Sequence, residues 1–194
     1  MNITNYMRVV TVDKKIKEQL RKSGISSEMK SIELCDWLVI HEIHDNIVGA
    51  AGVGSLLNTT ALQVGKNFRS KGIGPAIFVE LINEAKKRNY SFLLGSTEVN
   101  NIVSSRIHEF VDMRAVFRIP YSKDRILDIR LLPFNAKGKI IGKLFRFFNL
   151  RIGMFILACI LRISKPIFPR VLGHTTEDIP DPNITWIMKN FNKV

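Results

Sequence analysis

The chain has 194 residues, 46% apolar and 24% charged, which allows a domain with a real core and excludes a disordered polymer. Its formal net charge of +12 is unevenly spread: Met1–Asp128 carries +4, Ile129–Thr176 holds nine cations and no acid, and Glu177–Val194 is slightly acidic. Two distant cysteines, Cys35 and Cys159, and four histidines without ligand spacing predict neither a disulfide framework nor a metal site. Met1–Met7 has no charged stretch ahead of an apolar one, so no secretory leader is expected and the cysteines read as those of a reduced, cytoplasmic protein.

In chain order, Met7–Val12 is a short strand, and Asp13 caps a helix over Lys14–Lys22 that ends near Gly24. Trp37–Ile43 and Ile47–Val53 are β-branched runs parted by His44-Asp45-Asn46, which predicts a hairpin. Gly49–Gly54 has the look of a glycine-rich loop, but no Gly-Lys-Ser/Thr comes after it, and small residues suit a tightly packed strand. Ala61–Val64 is a further strand. Pro75–Arg88 is an amphipathic helix with Ile77, Leu81, Ile82 and Ala85 on one face, and Pro75 suits its first turn. Ser91–Leu94 is a strand, Ile102–Phe110 a helix, and Ala115–Ile119 with Arg125–Leu131 a second hairpin across Tyr121–Asp124. Strands alternating with helices indicate an α/β or α+β chain with a mixed sheet.

Between the strand at Val64 and the helix at Pro75 lies Arg69-Ser70-Lys71-Gly72-Ile73-Gly74. A strand, a glycine-bearing loop and a helix N-terminus form a generic anion site, because glycine admits a phosphate and the first-turn amides point at it. Two glycines alone do not distinguish such a site from a packed turn.

The stretch Val64–Gly74 resembles the acyl-CoA signature of the GNAT N-acetyltransferase superfamily, a valine-ended strand followed by R-x-x-G-x-G and a helix. Ile47-Val48-Gly49 matches that family's hairpin, and Asn101 matches an asparagine that comes after its next strand. The similarity runs from about Arg8 to Arg118. It implies a central mixed, mostly antiparallel sheet flanked by helices, to which the chain adds a C-terminal helical extension. The division would be a catalytic domain over residues 1–132 and a basic, apolar extension over 133–194.

The resemblance also implies an acyl-CoA-dependent N-acyltransferase using acetyl-CoA, with no metal and an amine acceptor of unknown identity. In the family, the strand ending at Val64 and the strand Ser91–Thr97 splay to admit the pantetheine arm. Arg69, Ser70, Lys71, Gly72, Ile73 and Gly74 would take the pyrophosphate, Leu62 and Val64 the thioester, and Asn101 the pantetheine. Where the family has a tyrosine that protonates the departing thiolate, this chain has His108, which could do the same or simply line the pocket. The glutamate often found before the valine is missing from Thr59–Val64, leaving Glu42, His41 and Glu98 as weak substitutes for the base. A non-catalytic acyl-CoA-binding module or membrane-associated scaffold is the alternative.

Lys139–Phe148 is strongly two-faced, with Lys139, Lys143 and Arg146 opposite Ile140, Ile141, Leu144, Phe145 and Phe148. Ile152–Leu161 comes next without a polar side chain, too short for the roughly 20 residues a bilayer needs. Pro166 and Pro169 interrupt the chain beyond it. Two readings stay open: residues 137–170 meet an anionic membrane surface, peripherally at the inner face, or they pack on the catalytic domain or a second subunit as a homodimer. Nucleic acid is not expected, since the aromatic residues lie away from the cations.

Overall fold

The computed structural model describes residues 5–122, 125–163 and 184–191. They form two compact units that divide in sequence between Asn89 and Tyr90.

The first unit contains β1 (Asn5–Thr11), α1 (Lys14–Lys22), α2 (Ile25–Glu28), a 3-10 turn at Lys30–Leu34, β2 (Trp37–Ile43), β3 (Asn46–Gly54), β4 (Thr59–Val64) and α3 (Ile73–Lys87). Its strands run in the order β1-β2-β3-β4, every pair antiparallel. As expected, Asp13 caps α1, its Oδ1 accepting the Ile16 amide at 2.8 Å. The β2–β3 turn is made by His44 and Asp45, both left-handed with φ of 50° and 60°. Such a turn matches the strand twist, and a two-residue loop fixes the register. One face of the sheet meets α1 and α2 through a cluster including Leu20, Ile25, Leu38, Ile40 and Ala50. The other receives α3, whose Ile77, Phe78 and Leu81 are fully buried, each contributing about 1.5–3 kcal/mol. Gly49 lets α3 sit this close: a Cβ there would lie 2.7 Å from the Ile77 Cδ1 and 3.2 Å from the Ile73 Cγ2. The small residues of β3 are thus a packing device, as read from the sequence.

The second unit contains β5 (Phe92–Glu98), α4 (Ile102–Phe110), β6 (Arg114–Ser122), β7 (Arg125–Pro133), α5 (Ala136–Phe145), a 3-10 turn at Arg146–Asn149, α6 (Arg151–Ile163) and α7 (Ile184–Asn190). β7 pairs antiparallel with both β5 and β6. The strand predicted at Ser91–Leu94 runs on to Glu98, because β7 supplies partners as far as Leu127 for the less apolar Gly95-Ser96-Thr97. Residues 123–124 of the β6–β7 turn lie outside the described residues, as do Pro166, Pro169 and the rest of 164–170.

The C-terminal amphipathic helix differs from the single element expected over Lys139–Phe148. α5 begins earlier, where Asn135 Oδ1 accepts the Gly138 amide at 3.0 Å, and it gives way to the 3-10 turn at Arg146. Asn149 anchors that turn by donating from Nδ2 to the Val116 carbonyl at 2.8 Å. The inner side of α5 is built on Gly138, where a Cβ would stand 2.0 Å from the Ser91 carbonyl oxygen. Phe145 and Phe148 then pack edge-on to Phe117 of β6, with centroids 6.1 and 5.2 Å away. The segment therefore packs on its own unit's sheet along one side.

Candidate functional site

The loop from β4 to α3 is where the sequence placed its anion site. After Val64, Gly65 donates to the Val48 carbonyl at 2.9 Å, tying the start of the loop to β3. A 3-10 turn at Lys66–Phe68 comes next, with the Phe68 amide bonded to the Gly65 carbonyl at 2.8 Å. Ser70 and Gly72 then adopt left-handed conformations, with φ of 62° and 77°. Gly72 is the N-cap of α3 and offers no side chain to its first turn. The first helical bond is the Ala76 amide to the Gly72 carbonyl at 3.2 Å. The amides of Gly72, Ile73 and Gly74 come before that first helical bond and so have no acceptor within α3, and Pro75 has no N–H to offer. Alternating left-handed positions curl such amides into a concavity of donors, backed here by the helix dipole. This is chemistry suited to a phosphate or pyrophosphate.

Arg69 and Lys71 have partners nearby, while Lys66 is exposed. Arg69 Nε donates to the Val64 carbonyl at 3.1 Å, and its terminal nitrogen is ion-paired with Glu28 of α2. Gln63 on β4 reaches the same Glu28 carboxylate at 2.6 Å. Lys71 lies over the Phe68 ring, 5.3 Å from its centroid. Glu28 was not singled out from the sequence, and no local signal could have found it, 41 positions from Arg69. Leu62 and Val64 occupy β4 opposite Ala51 and Gly49 of β3, both half-buried.

In the second unit, Asn101 is the N-cap of α4, its Oδ1 accepting the Ser104 amide at 3.0 Å. Two turns on from Asn101, His108 is buried, and its Nδ1 lies 2.8 Å from the Ser104 carbonyl oxygen, with the Ser104 hydroxyl further off at 3.4 Å. Only a protonated Nδ1 can bond to a carbonyl, so the proton sits there and Nε2 is the unprotonated nitrogen of the ring. Burial is the main reason its pKa falls below the ordinary histidine value; the Ser104 bond opposes the shift and nearby Arg130 adds to it. His108 is therefore neutral at pH 7.

The three substitutes for a base fare differently. Glu42 is buried and held by two bonds from Arg8, 2.7 and 3.0 Å, which keep its carboxyl below the usual range. Glu98 accepts from Arg125 Nε at 2.6 Å. His41 is buried, and both ring nitrogens lack a hydrogen-bond partner among the described residues. Two of the three are thus committed to ion pairs.

No protein-family model matches the chain, and no curated protein is similar to it in sequence. Solved structures do match. An N-acetyltransferase from Staphylococcus aureus aligns with 66% of this chain and 98% of its own, at 15% identity and a TM-score of 0.53. The ribosomal-protein-S18-alanine N-acetyltransferase from Escherichia coli aligns with 68% and 96%, at 13% identity and 0.54. A Desulfovibrio desulfuricans protein described as a GNAT-family acetyltransferase aligns with 67% and 99%, at 16% and 0.53. The chain has the GNAT acetyltransferase fold, with its mostly antiparallel strands flanked by helices.

Proposed function

We propose that this chain is an acyl-CoA-dependent N-acyltransferase, acetyl being the group it transfers from acetyl-CoA to an amine. The observation that carries the reading is the run of amides from Gly72 to Gly74 that no helical bond claims, at the head of α3, in a fold shared with proteins named as N-acetyltransferases. A donor-lined concavity of this kind fits a pyrophosphate without needing an unpaired side-chain cation. Bound there, the thioester would supply an activated acyl group. In this reading Ser70, Lys71, Gly72, Ile73 and Gly74 hold the pyrophosphate through the backbone. Arg69 holds the loop in shape through the Val64 carbonyl and Glu28. Backbone groups of Leu62 and Val64 orient the thioester, and the family resemblance assigns Asn101 to the pantetheine.

His108 moves the proton. Because its Nδ1 proton is committed to Ser104 and burial favours the neutral ring, Nε2 serves more readily as an acceptor than as an acid. Positioning supplies the remainder of the rate, since attack of a neutral amine on a thioester is intrinsically easy. Isothermal titration with acetyl-CoA tests the donor half, and absence of binding up to millimolar concentration would remove it. Acceptor-dependent release of CoA, screened across amines, amino sugars, peptide N-termini and polyamines, tests the transfer.

A second reading is a non-catalytic acyl-CoA-binding module. It is favoured by the ion pairs that occupy Glu42 and Glu98 and by the lack of a carboxylate on β4. Tight acetyl-CoA binding with no acceptor-dependent turnover would select it.

A further inference from the structure

The outward side of the C-terminal helices is apolar and cationic at once. On α5, Gly138 and Gly142 are buried and Ile141 half-buried, while Ile140 and Leu144 are 59% and 64% exposed. Beside that stripe, about a quarter turn round the helix, stand Lys139, Lys143 and Arg146, all exposed. On α6, Met154, Ala158 and Leu161 are buried, and the opposite stripe of Ile152, Phe155, Ile156 and Ile160 is 41–64% exposed. Two helices thus present large apolar side chains to water at helical spacing. Folded monomers seldom leave such stripes without a partner.

Charge identifies the partner. From Ala136 to Ile163 the sequence has six cations, Lys137, Lys139, Lys143, Arg146, Arg151 and Arg162, and no acid. A second copy meeting this face by two-fold symmetry would set the same cations against each other with no carboxylate to answer them. An anionic bilayer answers both features, taking isoleucines and phenylalanines below the headgroups and lysines and arginines among the phosphates. Neither helix is long enough to cross, and the pair bends by 100° at Leu150, which suits lying in an interface rather than spanning it. We infer that this face seats the protein on an anionic lipid surface. The inference does not depend on the transferase reading.

Flotation of the full chain tests it, comparing phosphatidylcholine vesicles with vesicles containing about 30% phosphatidylglycerol, a charge density at which each cation near the surface strengthens binding roughly fivefold. Two variants alter exposed side chains only: one combines Lys139→Gln, Lys143→Gln and Arg146→Gln, the other Phe155→Ser and Ile160→Ser. Circular dichroism confirms that each is folded. The expected result is binding to the anionic vesicles alone, weakened about 100-fold in the charge variant and also weakened in the apolar one. Four outcomes would overturn the inference. They are no flotation on anionic vesicles, equal flotation on neutral ones, loss in the charge variant alone, and a solution dimer that the apolar variant dissolves while vesicle binding stays intact.

Discussion

At Gly72 the φ is +77°, and nothing lies within 4 Å of where a Cβ would stand. Gly72→Ala therefore adds a methyl that meets no atom, and its whole effect is conformational. Holding an L-residue in the left-handed region costs about 1 kcal/mol more than holding glycine there. If the loop keeps its shape, that cost falls on stability. The melting temperature drops by about 2–4 °C for a chain of this size, and acetyl-CoA affinity is unchanged. If the loop instead relaxes to negative φ, stability is retained and the ligand must restore the curl, so the dissociation constant rises about fivefold. The two losses together should total about 1 kcal/mol, read by thermal unfolding and by isothermal titration on the same preparation. Gly72→Asn, whose side chain tolerates the left-handed region, should show less than half of it. An alanine variant as stable and as tight as the parent would refute the reasoning. So would an asparagine variant as impaired as the alanine one, because the cause would then be bulk rather than backbone.

Other expectations concern the second unit. His108→Gln should lower acetyl transfer while leaving acetyl-CoA affinity unchanged, and unaltered turnover would take His108 out of the proton path. Because burial holds the His108 pKa below its ordinary value of about 6.5, the unfolded chain binds the extra proton first as pH falls. The folded protein then loses stability below that value, and the loss is complete once pH passes the folded pKa. His108→Gln should flatten this acid slope in denaturant titrations between about pH 7 and 5, without abolishing it, since burial shifts His41 the same way. Gly138→Ala drives a Cβ to 2.0 Å from the Ser91 carbonyl, a backbone atom that cannot swing aside, and should destabilise by about 1–3 kcal/mol. Gly142→Ala meets only a Leu131 methyl at 3.4 Å and should instead be neutral or stabilising by up to about 1 kcal/mol. Urea melts of the pair should separate in sign. Asn101→Ala removes the α4 cap and should cost about 1 kcal/mol, whereas Asn101→Asp keeps the cap, so any shared loss of acetyl-CoA affinity reports on the ligand alone.

Elements whose ends are fixed locally could be read directly from the sequence. Asp13 is a cap, His44-Asp45 is a hairpin turn, and α1 and α4 have the bounds expected, although the capping of α4 by Asn101 was not read from the sequence. The loop ahead of α3 was legible as a glycine-bearing turn before a helix, but its reading as a donor site came from the family resemblance and not from that local signal. The features that stayed hidden depend on contacts distant in sequence. The residues alone ended the fifth strand at Leu94 and the resemblance carried it to Thr97, whereas pairing with β7 takes it to Glu98. Gly138 reads as a helix-weakening residue until Ser91 is seen against it. The Lys139–Phe148 periodicity grouped Ile140 and Leu144 with Ile141, Phe145 and Phe148, but the fold leaves the first two exposed and half-buries the other three, and it breaks the helix at Arg146, where Asn149 bonds to the Val116 carbonyl. Arg69 looked like a free cation beside an anion site, and only the fold brings Glu28 to it.

That last pairing changes how a ligand would find the loop. With Arg69 matched by Glu28, that guanidinium is already answered before a ligand arrives, while Lys66 is exposed and Lys71 keeps its charge over the Phe68 ring. The positive charge of the chain draws an approaching phosphate from a distance, and the fixed amide dipoles, whose field fades within a few ångströms, select it on arrival. Capture should then slow as ionic strength rises, while selectivity for shape persists. On a chain as basic as this one, such a site discriminates a nucleotide's diphosphate from the many other anions that its surface attracts.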